Sequence, residues 1–287
     1  MNLNKEEVKE YRKGRYNLSA TVFVPYDCKN NCPFCTSKYD YRDMSSFKLE
    51  EIISKILLLN ENNLIREFVI TGGEPFANLA QLKEIVNACE KDIYINTTLP
   101  MDGIDKAIDF VNSNDKIKGI NISRYIGFDF KGVASLEEID WIKKGIRINT
   151  VMMDKLFSSD KFLEFCYRYG KKKRDINLRA DYRSMTLDNL KIRDDISRFL
   201  EREFDYISTE SCMVCNSEYY SANDEFIVAY HRGLEHSCVD VGNKFYVNDV
   251  IVKQDGSVYK DWDCVLDRNF EEWILRDGLV KSKSLKR

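Results

Sequence analysis

The sequence predicts an α/β fold built on a parallel sheet, and three observations carry that prediction. Short β-rich runs alternate with segments of helical spacing along most of the chain. A cysteine cluster follows directly on the first run, and a Gly-Gly turn follows the second. Alternating strands and helices argue for βα units and hence a parallel sheet. Ligands of such sheets sit at the carboxyl ends of the strands, so both features fall where chemistry is expected.

The β-rich runs are NLSATVFVP (17–25), REFVITG (66–72), DIYINTT (92–98), IKGINIS (117–123), GIRINTVMM (145–153) and DINLRADY (175–182). Helical spacing separates them. In 47–59, Phe47, Ile52, Ile53, Ile56 and Leu59 fall near one face. Asn78 with Gln81, and Ser135 with Glu138, fit N-caps with their box partners. Segments 102–112, 159–169 and 188–203 read as further helices. The pattern orders the elements but does not decide whether the sheet closes.

After about residue 205 the character changes. Asp255-Gly256 sits between two alternating runs, a hairpin signal. The domain reading is therefore an N-terminal extension (1–16), a core (17–204) and a C-terminal extension (205–287).

The 287 residues are 44% hydrophobic and 32% charged, with a formal charge of −3, which exerts no global pull toward nucleic acid or anionic membrane. No apolar run approaches the roughly 18–20 residues that span a bilayer. The charged N-terminus has no apolar signal core. These features predict a cytoplasmic protein with reduced thiols, in which nine cysteines suggest metal binding more than disulfides.

Cys28, Cys32 and Cys35 make C-x3-C-x2-C in the stretch VPYDCKNNCPFCTS. Thiolates suit iron–sulfur clusters, zinc or Cu(I). A [4Fe–4S] cluster takes four protein thiolates when fully ligated, so three would leave one iron open to a small molecule. The alternatives are zinc with a distant fourth ligand, or incidental thiols. Thr71-Gly72-Gly73-Glu74-Pro75 ends the second run. Its glycines permit close backbone approach to a ligand, and its carbonyls and the Glu74 carboxylate can accept from an ammonium.

The triplet, with Phe34 before its last cysteine, and the Gly-Gly-Glu-Pro turn together resemble the radical S-adenosylmethionine (SAM) superfamily over roughly residues 17–182. The resemblance is to the branch with the molybdenum-cofactor GTP cyclase, peptide-maturing enzymes and viperin-like nucleotide dehydratases. It implies a partial (β/α)6 barrel with a C-terminal extension. It also implies a [4Fe–4S] cluster on Cys28, Cys32 and Cys35, with Gly72, Gly73 and Glu74 against the SAM amino group. Asn96, Ser123 and Asn149 match strand-end positions that line the cofactor pocket. Asn96-Thr97-Thr98 stands where relatives often carry Thr-Asn-Gly, so the missing glycine implies a different turn. Arg124 and Arg179 suit the SAM carboxylate, an anionic substrate or a surface ion pair. The implied chemistry is reductive cleavage of SAM to a 5′-deoxyadenosyl radical that abstracts hydrogen from a substrate. An external electron donor such as flavodoxin or ferredoxin would supply the electron.

Cys212 and Cys215 form C-x2-C, and Cys238 and Cys264 could complete a four-thiolate site. An auxiliary iron–sulfur cluster, zinc, or no metal at all remain open there. His231 and His236 are expected to pack the extension over the barrel, Cys89 and Cys166 to lie in the core, and Asp261, Trp262 and Asp263 to cap the pocket mouth. The short stretch before the first strand favours a small-molecule, nucleotide-like substrate over a peptide. A peptide-modifying enzyme with an auxiliary cluster is the alternative, and a metal-binding module without turnover is a third.

Overall fold

The computed structural model describes residues 18–25, 27–30, 32, 35, 47–62, 65–126, 130–152, 158–171, 174–180, 187–211, 216–232, 238–241, 244–247 and 249–259. Six strands alternate with helices: β1 (Leu18–Val24), α1 (Leu49–Asn60), β2 (Ile65–Gly72), α2 (Leu79–Ala88), β3 (Asp92–Thr97), α3 (Ile104–Ser113), β4 (Ile117–Ser123), α4 (Leu136–Asp140), β5 (Gly145–Met152), α5 (Ser159–Tyr169), β6 (Arg174–Ala180) and α6 (Leu187–Glu203). Each pairs in parallel with the next, from β1 through β6. The six runs read from the sequence are these six strands.

Alternation along each strand explains the layering, because successive side chains point to opposite faces. Phe68 and Ile70, Ile93 and Ile95, Ile120 and Ile122, Ile146 and Ile148, and Ile176 and Leu178 are all buried in one continuous core. The apolar stripes of the helices fill the other side of that core. Among them are Ile52, Ile56 and Leu59 of α1, Leu82, Ile85 and Val86 of α2, and Phe162, Phe165 and Cys166 of α5. The buried thiols Cys89 and Cys166 belong to this layer. Ser135 caps α4 with the reciprocal Glu138 contact, and Asn78 accepts from Gln81 N–H at 3.2 Å at the start of α2.

The C-terminal part extends this sheet on both edges. The remaining strands are β7 (Asp205–Ser211), β8 (Asn216–Ala222), β9 (Phe226–His231), β10 (Cys238–Val241), β11 (Lys244–Val247), β12 (Asp249–Val252) and β13 (Val258–Tyr259). The sheet order is β13-β12-β1-β2-β3-β4-β5-β6-β9-β8-β7, with β10 and β11 forming a separate pair. Strand β9 adds in parallel to β6, and β12 adds in parallel to β1. Residues 205–259 thus supply strands to the sheet of the core. The hairpin read at Asp255-Gly256 is the β12–β13 turn, closed by Lys253 N–H to Ser257 O at 2.8 Å.

That turn also seats the first helix. Lys48 N–H, before α1, donates to Gln254 O at 2.9 Å. Gly256 has φ +81°, and a Cβ there would come within 2.4 Å of Glu51 Cβ. A side chain is therefore excluded by both conformation and space. Gly256→Ala is expected to cost about 1–3 kcal/mol of stability. Thermal or urea unfolding of the variant checks this, and an unchanged midpoint would show that the turn can yield.

Candidate active site

The sheet has two unlike faces. One packs against helices. The other, at the same depth, carries Ser19, Glu67, Tyr94, Asn96, Asn121, Ser123, Arg147, Asn149 and Asp175. Parallel sheets are ordinarily apolar on both faces, so a row of polar residues on one face is a departure that suits ligand binding. Register places Asn96 beside Asn121, Asn121 beside Arg147, and Arg147 beside Asp175. Nearer the carboxyl ends, Ser123 lies beside Asn149, and Asn149 beside Asn177. The amides pair across strands: Asn121 Nδ2 donates to Asn96 Oδ1 at 2.8 Å, and Asn177 Nδ2 to Asn149 Oδ1 at 2.7 Å. Three sequence-selected residues, Asn96, Ser123 and Asn149, are therefore half-buried on this one face.

The cysteine loop crosses the carboxyl end of β1. Cys28, Cys32 and Cys35 form no disulfide and are of intermediate exposure. Burial pushes the Cys28 thiol up, and the charges of Glu74 and Cys35 add to this, while hydrogen bonds from Asn30 oppose it. Among the described residues, no three Cys, His, Asp or Glu side chains are arranged to hold a single metal ion.

The Gly-Gly-Glu turn departs from the sequence reading in its physical reason. Gly72 has φ +129°, and a Cβ on it would lie 2.5 Å from Val24 O and 2.8 Å from Val24 N. Glycine is needed here because β1 passes too close for any side chain. Glu74 is 6% exposed and turned into the protein. Its Oε1 accepts from Thr97 Oγ1 and from Phe76 N–H at 3.2 Å. Its Oε2 accepts from Thr98 N–H at 2.7 Å and Thr98 Oγ1 at 2.6 Å. A carboxylate offers about four acceptor sites, and protein donors meet that number. Burial raises the Glu74 carboxyl above the ordinary range, with the four donors pulling against it. The contacts observed for Glu74 tie the end of β2 to the end of β3.

Arg124 also differs from its expectation. It is 5% exposed, so it is no surface ion-pair partner. Its guanidinium donates to the main-chain carbonyls of Thr98 at 2.8 Å, Ser123 at 2.7 Å and Ala134 at 2.7 Å. A rigid fork of donors suits main-chain carbonyls as well as it suits an anion. Arg179 ends β6 exposed, beside His231 of β9 in register. His231 Nδ1 lies 2.7 Å from Ser217 Oγ, bracing β8 against β9.

Tyr125, just past β4, was not selected from the sequence. Its phenol hydrogen-bonds Ser123 and feels the charges of Cys32, Cys35 and Arg179. It thus lies within electrostatic reach of the cysteine loop while hydrogen-bonding the polar face, with its pKa raised mainly by burial. The signal available in the sequence was its position two residues after Ser123, at a strand's carboxyl end. Of the proposed second metal site, Cys212, Cys215 and Cys264 lie outside the described residues, as do His236, Asp261, Trp262 and Asp263. Cys238 begins β10, and its side chain is not among those described.

Residues 22–124 match the Radical SAM superfamily, a span containing the cysteine loop, the Gly-Gly-Glu turn and Arg124. No curated protein matches the chain. Among solved structures, Streptococcus suis SuiB bound to S-adenosylmethionine shares the fold at 14% identity with a TM-score of 0.56, covering 96% of this chain and 69% of that one. SuiB bound to the precursor peptide SuiA is similar at 13% identity and a TM-score of 0.53, covering 98% of this chain. The chain spans 65% of the length of that second SuiB chain.

Asp175 gives the polar face a measurable pH signature. It is buried, accepts from Ile227 N–H at 3.0 Å, and is raised above its ordinary 3.8 chiefly by burial, against the pull of that N–H and of Arg147. A raised folded-state value means folding resists the charge. The penalty grows as pH climbs from about 3.8 through the raised value, and stays constant above it. Asp175→Asn keeps an acceptor for Ile227 and removes the charge. The variant is expected to raise the melting temperature at neutral pH and to raise it less near pH 4. Equal shifts at both pH values would show that the charge carries no penalty.

Proposed function

We propose that this chain is an enzyme of the radical SAM superfamily, whose family model matches residues 22–124, and that Cys28, Cys32 and Cys35 hold a [4Fe–4S] cluster. The donor set fits. Three half-buried cysteines outside any disulfide share one loop after β1, and Cys89 and Cys166 are buried in the helix layer. In a [4Fe–4S] cluster each thiolate would ligate a separate iron, so the three need not converge on one point, and one iron would remain for SAM. The cofactors, when bound, supply reductive SAM cleavage and a 5′-deoxyadenosyl radical that abstracts hydrogen from the substrate.

The residues of the chain orient and enclose. Gly72 and Gly73 present main-chain carbonyls beside the cysteine loop. Asn96, Ser123 and Asn149 offer hydroxyl and amide groups from the polar face to SAM. Glu74 and Arg124 act at one remove, fixing the main chain that meets the ligand. Tyr125 covers the space between cysteines and sheet, restricting water where a radical would form. The polar face opposite the helix layer is the single observation that carries this reading.

For the substrate, a peptide is the class with support beyond the sequence. SuiB, which shares this fold over nearly the whole chain, is described bound to a precursor peptide. The preference for a small molecule rested on the short stretch before β1, and nothing in the fold supports it. The C-terminal cysteines as an auxiliary cluster or zinc site belong to the same proposal, as does an external electron donor.

Anaerobic reconstitution is expected to give a reducible [4Fe–4S] signal that changes on adding SAM, and 5′-deoxyadenosine with dithionite. Cys28→Ala, Cys32→Ala and Cys35→Ala are each expected to abolish both. A zinc-loaded protein without SAM cleavage would sink the proposal. About four irons per chain would argue against a second cluster and about eight for one. Substrate class is read from deuterium transfer into 5′-deoxyadenosine. Deuterated peptides are expected to label it and deuterated nucleotides are not; the reverse would restore the small-molecule reading.

A further inference from the structure

We propose that Thr98 is a positioning residue: its hydroxyl sets the Asn30 amide against the Cys28 sulfur and so couples the Gly-Gly-Glu turn to the cysteine loop. The proposal rests on the reading of that loop as a cluster site. Thr98 is 9% exposed and every polar group it has is engaged. Its N–H and hydroxyl both donate to Glu74 Oε2. Its hydroxyl oxygen accepts from Asn30 Nδ2 at 3.3 Å, and its carbonyl accepts from Arg124. A hydroxyl has one proton and two lone pairs, so it can donate to Glu74 and accept from Asn30 at once. Asn30 lies between Cys28 and Cys32, and both its side chain and its main-chain N–H hydrogen-bond Cys28. An unbroken chain of contacts therefore runs from Glu74 through Thr98 and Asn30 to a cysteine sulfur.

The neighbouring residue shows how tightly this turn is held. Leu99 has φ +53°, a left-handed conformation that is unfavourable for a non-glycine residue. It follows Asn96-Thr97-Thr98, the segment that departs from the Thr-Asn-Gly pattern. Three things hold it there: a fully buried side chain, its N–H to Thr97 Oγ1 at 2.7 Å, and its carbonyl accepting from Ala134 N–H at 2.8 Å. Strain persists only where the surroundings over-determine it. The turn that presents Thr98 is thus built to a fixed geometry.

Hydrogen bonds to cluster sulfurs shift reduction potential, because they stabilise the more negative reduced state. Thr98→Val deletes the hydroxyl at nearly constant shape, and Thr98→Ser retains it. Asn30→Ala breaks the same chain on the half-buried loop without touching the Glu74 contacts. Full-length variants are reconstituted anaerobically and compared by iron content, melting temperature, EPR-monitored potential and SAM affinity. Thr98→Val and Asn30→Ala are expected to keep wild-type iron, shift the potential to more negative values, and weaken SAM binding about tenfold. Thr98→Ser is expected to restore both. Wild-type potential and SAM affinity in Thr98→Val or Asn30→Ala would overturn the proposal. So would a Thr98→Ser protein as impaired as Thr98→Val, which would make the methyl group, through packing, the cause. A wild-type chain that takes up no cluster would instead overturn the cluster reading beneath it.

Discussion

Withdrawing the Glu74 carboxylate from water is the constraint around which the carboxyl end of the sheet is arranged. Burying such a group without partners costs several kcal/mol, so its partners must be supplied by the fold. They come from Phe76, Thr97 and Thr98, which lie on the turn after β2 and at the end of β3. Meeting that demand fixes the spacing of the two strand ends.

Arg124 makes the matching demand with the opposite charge. A buried guanidinium needs acceptors, and it finds them in Thr98, Ser123 and Ala134. Glu74 and Arg124 never touch in this arrangement; Thr98 stands between them, donating to one and accepting from the other. The ends of β2, β3 and β4 are thereby drawn together beside the cysteine loop. Below them the polar face offers amides and hydroxyls held in register by the strand ladder. Strands hold these groups in register, while the thiols sit on the loop that follows β1.

Some of this was legible residue by residue. Alternating apolar positions announced β1 to β6, since the helix layer takes every second side chain. Ser135 and Glu138 announced the start of α4, because a capping box is a contact between residues three apart. Cys28, Cys32 and Cys35 were legible as a group of soft donors after β1 from their spacing. Arg124 was not legible in its observed role: an arginine at a strand end reads as exposed until the carbonyls it must satisfy are brought to it by β3 and by the segment before α4. The observed roles of Thr98 and Asn30 escaped for the same reason. Their meaning lies in partners far away in the chain.

The sequence by itself determined the order of elements, the caps, the hairpin at Asp255-Gly256 and the soft-ligand character of the cysteine loop. Each of these depends on neighbours within a few residues, where periodicity and side-chain chemistry act directly. Tertiary structure decided that the C-terminal strands join both edges of the core sheet, with β12 on β1 and β9 on β6. It also decided that Gly72 yields to Val24 and that Glu74 and Arg124 turn inward. These outcomes depend on which segments lie together after hundreds of competing pairings, and no local pattern encodes a register between residues such as Ser19 and Asp249.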